Sequence, residues 1–202
     1  MAPWPVCTGW LPGSGGRRER GAANPRPARV KPGGGYWGAA VRGKMKIREL
    51  TPENYPKVAG LLRQVFPRSN HEARLVENLH RNGRVVHEWV GIHISRVIAY
   101  IVFSQAYNGA EVCGLHLALW AVKPEFQGQG VGAELLRFAL RQEVIKTSTI
   151  FVLGNPDFYR QFGFAVCEKP VCPLAQKKTQ FLCLRDNSSS PFTVGYEPEF
   201  GP

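Results

Sequence analysis

The chain has 202 residues, 44% of them hydrophobic, which is enough for one domain with a real core. Its formal charge is +11, but residues 1–44 hold eight Lys/Arg against one acid, while the other 158 residues hold 18 basic and 14 acidic side chains. A body that is only mildly basic suits an anionic cofactor and gives no reason to expect nucleic acid as a partner. No apolar run approaches membrane-spanning length, so no membrane role is expected. The five cysteines (Cys7, Cys113, Cys167, Cys172, Cys183) contain no C-x-x-C pair and are odd in number. That excludes a disulfide framework as the organising device and points to a reducing, cytoplasmic compartment. The histidines show no ligand spacing such as H-E-x-x-H, so no metal is expected.

Residues 1–44 contain ten Gly and six Pro without apolar periodicity. Such a segment cannot bury enough surface to offset its ordering entropy, and it reads as a disordered leader. Its Arg content leaves organellar targeting and a nucleic-acid-binding arm as alternatives, although its Gly and Pro disfavour the amphipathic helix that targeting needs. A domain pattern starts at Met45, and a methionine at that junction suggests a translation start. The expected domain is therefore 45–202.

Ile47 to Leu50 reads as a short strand, and Thr51-Pro52 as an N-cap with a first-turn proline. Tyr55, Val58, Leu62, Val65 and Phe66 fall on one helical face. A second helix, His71 to Asn82, turns Leu75, Val76 and Leu79 inward and stops at Gly83. Arg84 to Ile92 and Arg96 to Ala106 read as an antiparallel pair. Val112 to Val122 is nearly all apolar and so central. A helix over 130–142 follows, then a strand from Thr149 to Leu153. Thr179 to Leu184 and Phe192 to Tyr196 supply one or two more strands. The fold class is α/β (α+β), with a mixed sheet and helices on its faces.

The most informative run is Gln127-Gly128-Gln129-Gly130-Val131-Gly132, lying between the central strand and a helix. Strand, glycine turn and helix together present bare N–H groups to a phosphate. Gly128-x-Gly130-x-x-Ala133 formally matches the dinucleotide fingerprint. That fingerprint wants its first glycine directly after the strand, yet five residues separate Val122 from Gly128. It also wants an acid at the end of the next strand, where this chain has Gly154-Asn155. The dinucleotide match is accidental.

The alternative pattern is Q/R-x-x-G-x-G/A, met by Gln127, Gly130 and Gly132 behind Val122-x-Pro124. With Tyr159-Arg160-Gln161-Phe162-Gly163-Phe164 downstream, the chain resembles the GNAT N-acetyltransferase superfamily. More narrowly it resembles the YhbS-like branch, through Glu72-Ala73-Arg74-Leu75-Val76, Val122-Lys123-Pro124-Glu125-Phe126-Gln127, Val152-Leu153-Gly154-Asn155-Pro156, and Gly195-Tyr196-Glu197-Pro198-Glu199-Phe200. The resemblance covers residues 45–202 and none of 1–44. It implies a mostly antiparallel sheet of about six to seven strands, splayed beside the cofactor strand and flanked by about four helices.

The resemblance also implies acetyl transfer directly from acetyl-CoA to a small-molecule or peptide amine, in a monomer or homodimer. A catalytically silent acyl-CoA-binding module is the alternative. Implied cofactor contacts are the main chain of Trp120, Ala121 and Val122, the turn Gln127, Gly128, Gln129, Gly130, Val131 and Gly132, and Asn155 and Tyr159. Tyr159 would protonate the departing thiolate. The base is His116, Glu72 or a water chain. Two departures touch the acceptor side: Ala118-Leu119-Trp120 stands where the branch usually carries Gly-Pro, and Arg185-Asp186 where it tends to end a strand in Glu-Leu.

Overall fold

The computed structural model describes residues 45–201; the expected leader, 1–44, lies outside the described residues. Strand β1 (Lys46–Glu49) pairs antiparallel with β2 (Val86–His93), and β2 with β3 (Arg96–Asn108). β3 pairs antiparallel with β4 (Glu111–Val122), which lies parallel to β5 (Ile150–Leu153). β8 (Phe181–Leu184) and the two-residue β6 (Ala165–Val166) complete the order β1-β2-β3-β4-β5-β8-β6. β9 (Phe192–Tyr196) joins the end of β3 at Ala106 to Asn108 and also holds β7 (Pro170–Val171). The sheet has nine strands rather than six or seven, because β6 and β7 are two residues each and too short to show a period.

Helices α1 (Tyr55–Val65) and α2 (His71–Arg81) cover one face of the sheet. Val58, Leu61, Leu62 and Val76 pack there with Val90, Tyr100, Val102, Leu119 and Ala121. Helix α3 (Val131–Ala139) and the single turn α4 (Glu143–Lys146) cover the other face. Leu135, Leu136, Ala139 and Ile145 pack there with Ile98, Ile101, Phe103, Leu117 and Val122. With helices on both faces, β3 is buried from Val97 to Ser104, and each large aliphatic side chain contributes about 1.5–3 kcal/mol. A fifth helix, the four-residue α5 (Pro156–Tyr159), follows β5.

Three local expectations change. Thr51 does not cap α1. It precedes a 3₁₀ turn, Pro52–Asn54, and α1 starts only at Tyr55. The helix expected over 130–142 breaks after Ala139, where Gln142 turns extended (ψ 144°) and starts α4. Phe66 leaves the helix as its C-cap (φ −119°).

The β2–β3 hairpin turns on Ile94 and Ser95, whose φ values of 44° and 60° are both left-handed. That is the type I′ conformation, in which Asn-Gly is favoured and a β-branched residue is strained. Ile94 is also 81% exposed, so it gains little from burial. The double substitution Ile94→Asn, Ser95→Gly is expected to stabilise the fold by about 1 kcal/mol, read as a higher denaturant midpoint at unchanged slope.

Candidate active site

The β3–β4 register pairs Val102 with Leu119 and Phe103 with Leu117, so Ala118 is an extra residue in β4. This β-bulge bends the strand and reverses which residues face which side. Leu115 and Leu117 before it, and Trp120 and Val122 after it, all lie in the core under α3. β5 pairs with β4 only at Leu115 and His116. From Leu117 onward, β4 therefore has an open edge on its β5 side.

Lys123 N donates to Ile98 O at 2.8 Å, across to β3. By alternation, Ala121 also turns its peptide groups to β3, while Trp120 and Val122 turn theirs to the open edge. The Val122 carbonyl indeed accepts from Gln127 Nε2 at 2.8 Å and not from β3. Of the three main-chain positions expected to hold a ligand strand, Trp120 and Val122 are available. Ala121 is not; it contributes its methyl group to the α1 face instead.

The glycine turn lies at the head of this edge. Gly128 (φ 69°) and Gly130 (φ 80°) are left-handed, and Gly130 is the N-cap of α3. With glycine as cap, no side chain satisfies the first N–H groups of the helix, so they remain available to an anion. Gln127 and Gln129 brace the turn with their side chains, Gln129 Nε2 donating to Glu125 O at 2.8 Å. Packing also requires glycine at 132: a β-carbon there would overlap the buried Trp120 indole and touch Val122. Val131 is buried in the same core.

Trp120 connects the turn to Tyr159. Its ring lies 5.1 Å from Phe158 and 6.4 Å from Tyr159, and Tyr159 lies 5.5 Å from Phe164. Tyr159 is 1% exposed, held at the end of α5 across Gly154. Asn155, expected among the cofactor contacts, instead caps α5: its Oδ1 accepts from Asp157 N at 2.9 Å. Its role is to set the helix that carries Tyr159.

The two candidate bases stand apart. His116 is paired across β3 with Ser104 and lies under the rings of Tyr196 (4.6 Å) and Phe200 (5.0 Å). Burial pushes its pKa from 6.5 down to about 3, which removes the basicity expected of it. Glu72 shares the buried stripe of α2 with Leu75, Val76 and Leu79. Leu75 and Leu79 pack beside Ala118, and Val76 packs with Leu119 and Ala121, so the N-terminus of α2 points toward the open end of β4. Glu72 is 1% exposed, and its Oε2 makes no hydrogen bond among the described residues. Arg185 is committed to structure, donating to Ser148 O at 2.9 Å and Ile145 O at 2.8 Å behind α4.

The sequence offered no explicit sign of Phe158 or of the bulge at Ala118. The available signal was parity: large side chains at 115 and 117, then at 120 and 122. Among the described residues no group of three or more His, Cys, Asp or Glu could hold a metal ion, and no helix is long and apolar enough to cross a membrane.

The open β4 edge thus ends at an uncapped, glycine-started helix. Residues 85–166 match the family model for the acetyltransferase (GNAT) domain. The YhbS GNAT N-acetyltransferase of Escherichia coli, in complex with CoA, superposes with a TM-score of 0.72 at 25% identity, covering 79% of this chain and 93% of that one. A GNAT acetyltransferase from Brucella melitensis, in complex with acetyl-CoA, gives 0.65 at 25% identity over 77% and 97%. In sequence, the uncharacterized N-acetyltransferase YjhQ of Escherichia coli (strain K12) is 36% identical over 76 residues, 36% of this chain and 42% of that protein. The match thus spans less than half of that relative. Over residues 85–166 the chain is thus similar to the GNAT acetyltransferase domain, and its described fold is that of the YhbS structure.

The depressed His116 pKa has a consequence for stability. Between about pH 3 and 6.5 the unfolded chain binds a proton at this site that the folded chain does not. Stability therefore falls as pH drops through that window, by about 1.4 kcal/mol per unit for one proton. His116→Phe is expected to remove one proton's worth of this slope in denaturant titrations run from pH 4 to 7.

Proposed function

We propose that the protein is an acetyl-CoA-dependent N-acetyltransferase acting on a primary amine. The observation that carries this is the open β4 edge at Trp120 and Val122 running into the uncapped N-terminus of α3. A CoA pyrophosphate fits the N–H groups of residues 128–132, each charge-assisted bond contributing about 1.5–3 kcal/mol. The pantetheine amides fit the peptide groups of Trp120 as an added strand would, which leaves the Val122 N–H for the acyl group. When bound, acetyl-CoA supplies an acyl group activated as a thioester.

The chain's own residues then have three tasks. The Val122 N–H donates to the thioester oxygen as it gains negative charge, an interaction stronger in the transition state than in the ground state. Tyr159 gives its phenolic proton to the departing thiolate. Glu72 takes a proton from the bound ammonium, and the neutral amine that results attacks the thioester carbonyl. A buried carboxylate oxygen with no partner is available for this, whereas His116 is not basic enough.

The reading is tested first by thermal shift of the full chain with acetyl-CoA, CoA and NAD, then by thiol release over a panel of amines. Stabilisation by NAD alone would overturn it. Stabilisation by CoA without turnover on any amine would leave a silent binding module. On the best amine of the panel, Tyr159→Phe is expected to lower kcat by about 10²–10⁴ with little change in acetyl-CoA affinity. Glu72→Gln is expected to lower kcat by a similar factor and to remove the acidic limb of the pH–rate profile, whereas His116→Phe leaves that limb in place.

A further inference from the structure

Away from the open edge, α1 and α2 enclose a cavity of about 250 Å³ to which acetyl transfer assigns no role. Its floor is apolar, formed by Val58 and Leu62 of α1 and Val76 of α2. A hydrogen-bonded chain stands at its rim. The Tyr55 hydroxyl lies 3.1 Å from His80 Nδ1, and His80 Nε2 lies 3.1 Å from Glu88 Oε2. The buried Tyr100 hydroxyl donates to Glu88 Oε1. As a carboxylate, Glu88 can only accept, so it fixes the His80 proton on Nε2 and leaves Nδ1 as an acceptor. Tyr55 then donates its O–H inward to His80, and its oxygen lone pairs are left for a donor from the cavity.

Two opposite charges complete the rim. Arg63 sits in the last turn of α1 and Glu77 on α2, and both side chains line the cavity. Both are exposed, and neither forms an ion pair with another described residue. A cation and an anion held apart over an apolar floor match a zwitterion with an apolar body. The relay at Tyr55 adds a second acceptor on the anionic side.

We propose that this cavity is a binding site for a free α-amino acid with an apolar side chain. Arg63 takes the carboxylate, Glu77 and the Tyr55 oxygen take the ammonium, and the side chain covers Val58, Leu62 and Val76. The site is separate from the transfer edge, and its ligand is bound without being acetylated. Glu88 is paired with Val102, and Val102 with Leu119, which sets the relay two strand spacings, about 10 Å, from β4. No residue of β4 or α3 lines the cavity.

The test is calorimetric titration of the full chain, without acetyl-CoA, using leucine, phenylalanine, isopentylamine and 4-methylpentanoate. Leucine or phenylalanine is expected to bind, and the two ligands lacking one charge to bind at least about tenfold more weakly. Arg63→Gln should weaken the amino acid about tenfold and leave isopentylamine unaffected. Glu77→Gln should do the same to the amino acid and leave 4-methylpentanoate unaffected. Both substitutions are of exposed side chains, and circular dichroism checks that each variant is folded. No binding of either amino acid at millimolar concentration, or equal binding by the folded Arg63→Gln and Glu77→Gln variants, overturns the proposal. Acetylated leucine or phenylalanine, found by mass spectrometry after incubation with acetyl-CoA, overturns the separation of the two sites.

Discussion

Between Leu117 and Leu119, β4 carries one residue more than its β3 partner, and the geometry of the site follows from that extra residue. Without the bulge at Ala118, β4 would keep its pairing with β5 beyond His116, and its peptide groups would be satisfied within the sheet. With it, the strand turns away, and the N–H groups of Trp120 and Val122 are left on an edge inside the protein. An inner edge is costly unless something pairs with it. A ligand that can hydrogen-bond like a strand satisfies such an edge. The same bulge switches side-chain parity, and this lets Trp120 face α3 while Leu119 and Ala121 face α1.

The glycine turn and Tyr159 are joined through one cluster of rings. Gly132 allows α3 to sit directly on the Trp120 indole, and that indole also meets Phe158 and Tyr159. Helix α3 and Tyr159 are thus positioned by the same ring. Tyr159 is further fixed because Asn155 caps the short helix that carries it. Such a helix has too few residues to be stable alone. Its order comes from the cap and the rings, so its placement is tied to β4 rather than to the loop it sits in.

The sequence carried much of this arrangement, for physical reasons that differ by element. The long helices were legible from period, since α1 and α2 each bury one stripe, and the glycine stop at Gly83 (φ 65°) marked an end. The glycine turn was legible because few residues but glycine adopt φ values near 69° and 80°. The bulge was not legible, because β4 is apolar on both faces and a change of parity leaves no polar trace. Gly132 was legible only in part: spacing shows that a side chain is excluded, not which neighbour excludes it. His116 looked chemical in isolation, but its environment is written by Tyr196 and Phe200, eighty residues on.

The two faces of the sheet are built differently. Under α3 the core is mostly apolar, with the Trp120 and Tyr159 rings among its aliphatic side chains. Under α1 and α2, polar groups are buried within it: Glu72 and the Ser104 hydroxyl lack hydrogen bonds, and the Tyr55–His80–Glu88 chain runs between elements. Each of these costs stability unless it is matched by a bound group or by water. They also do not coincide. Glu72 lies on the side of α2 that faces β4, while Ala73, Glu77 and His80 lie on the side that faces α1. One helix therefore presents two chemically distinct surfaces about a quarter turn apart, set by its 100° advance per residue. A shift of α2 toward or away from α1 would move both together.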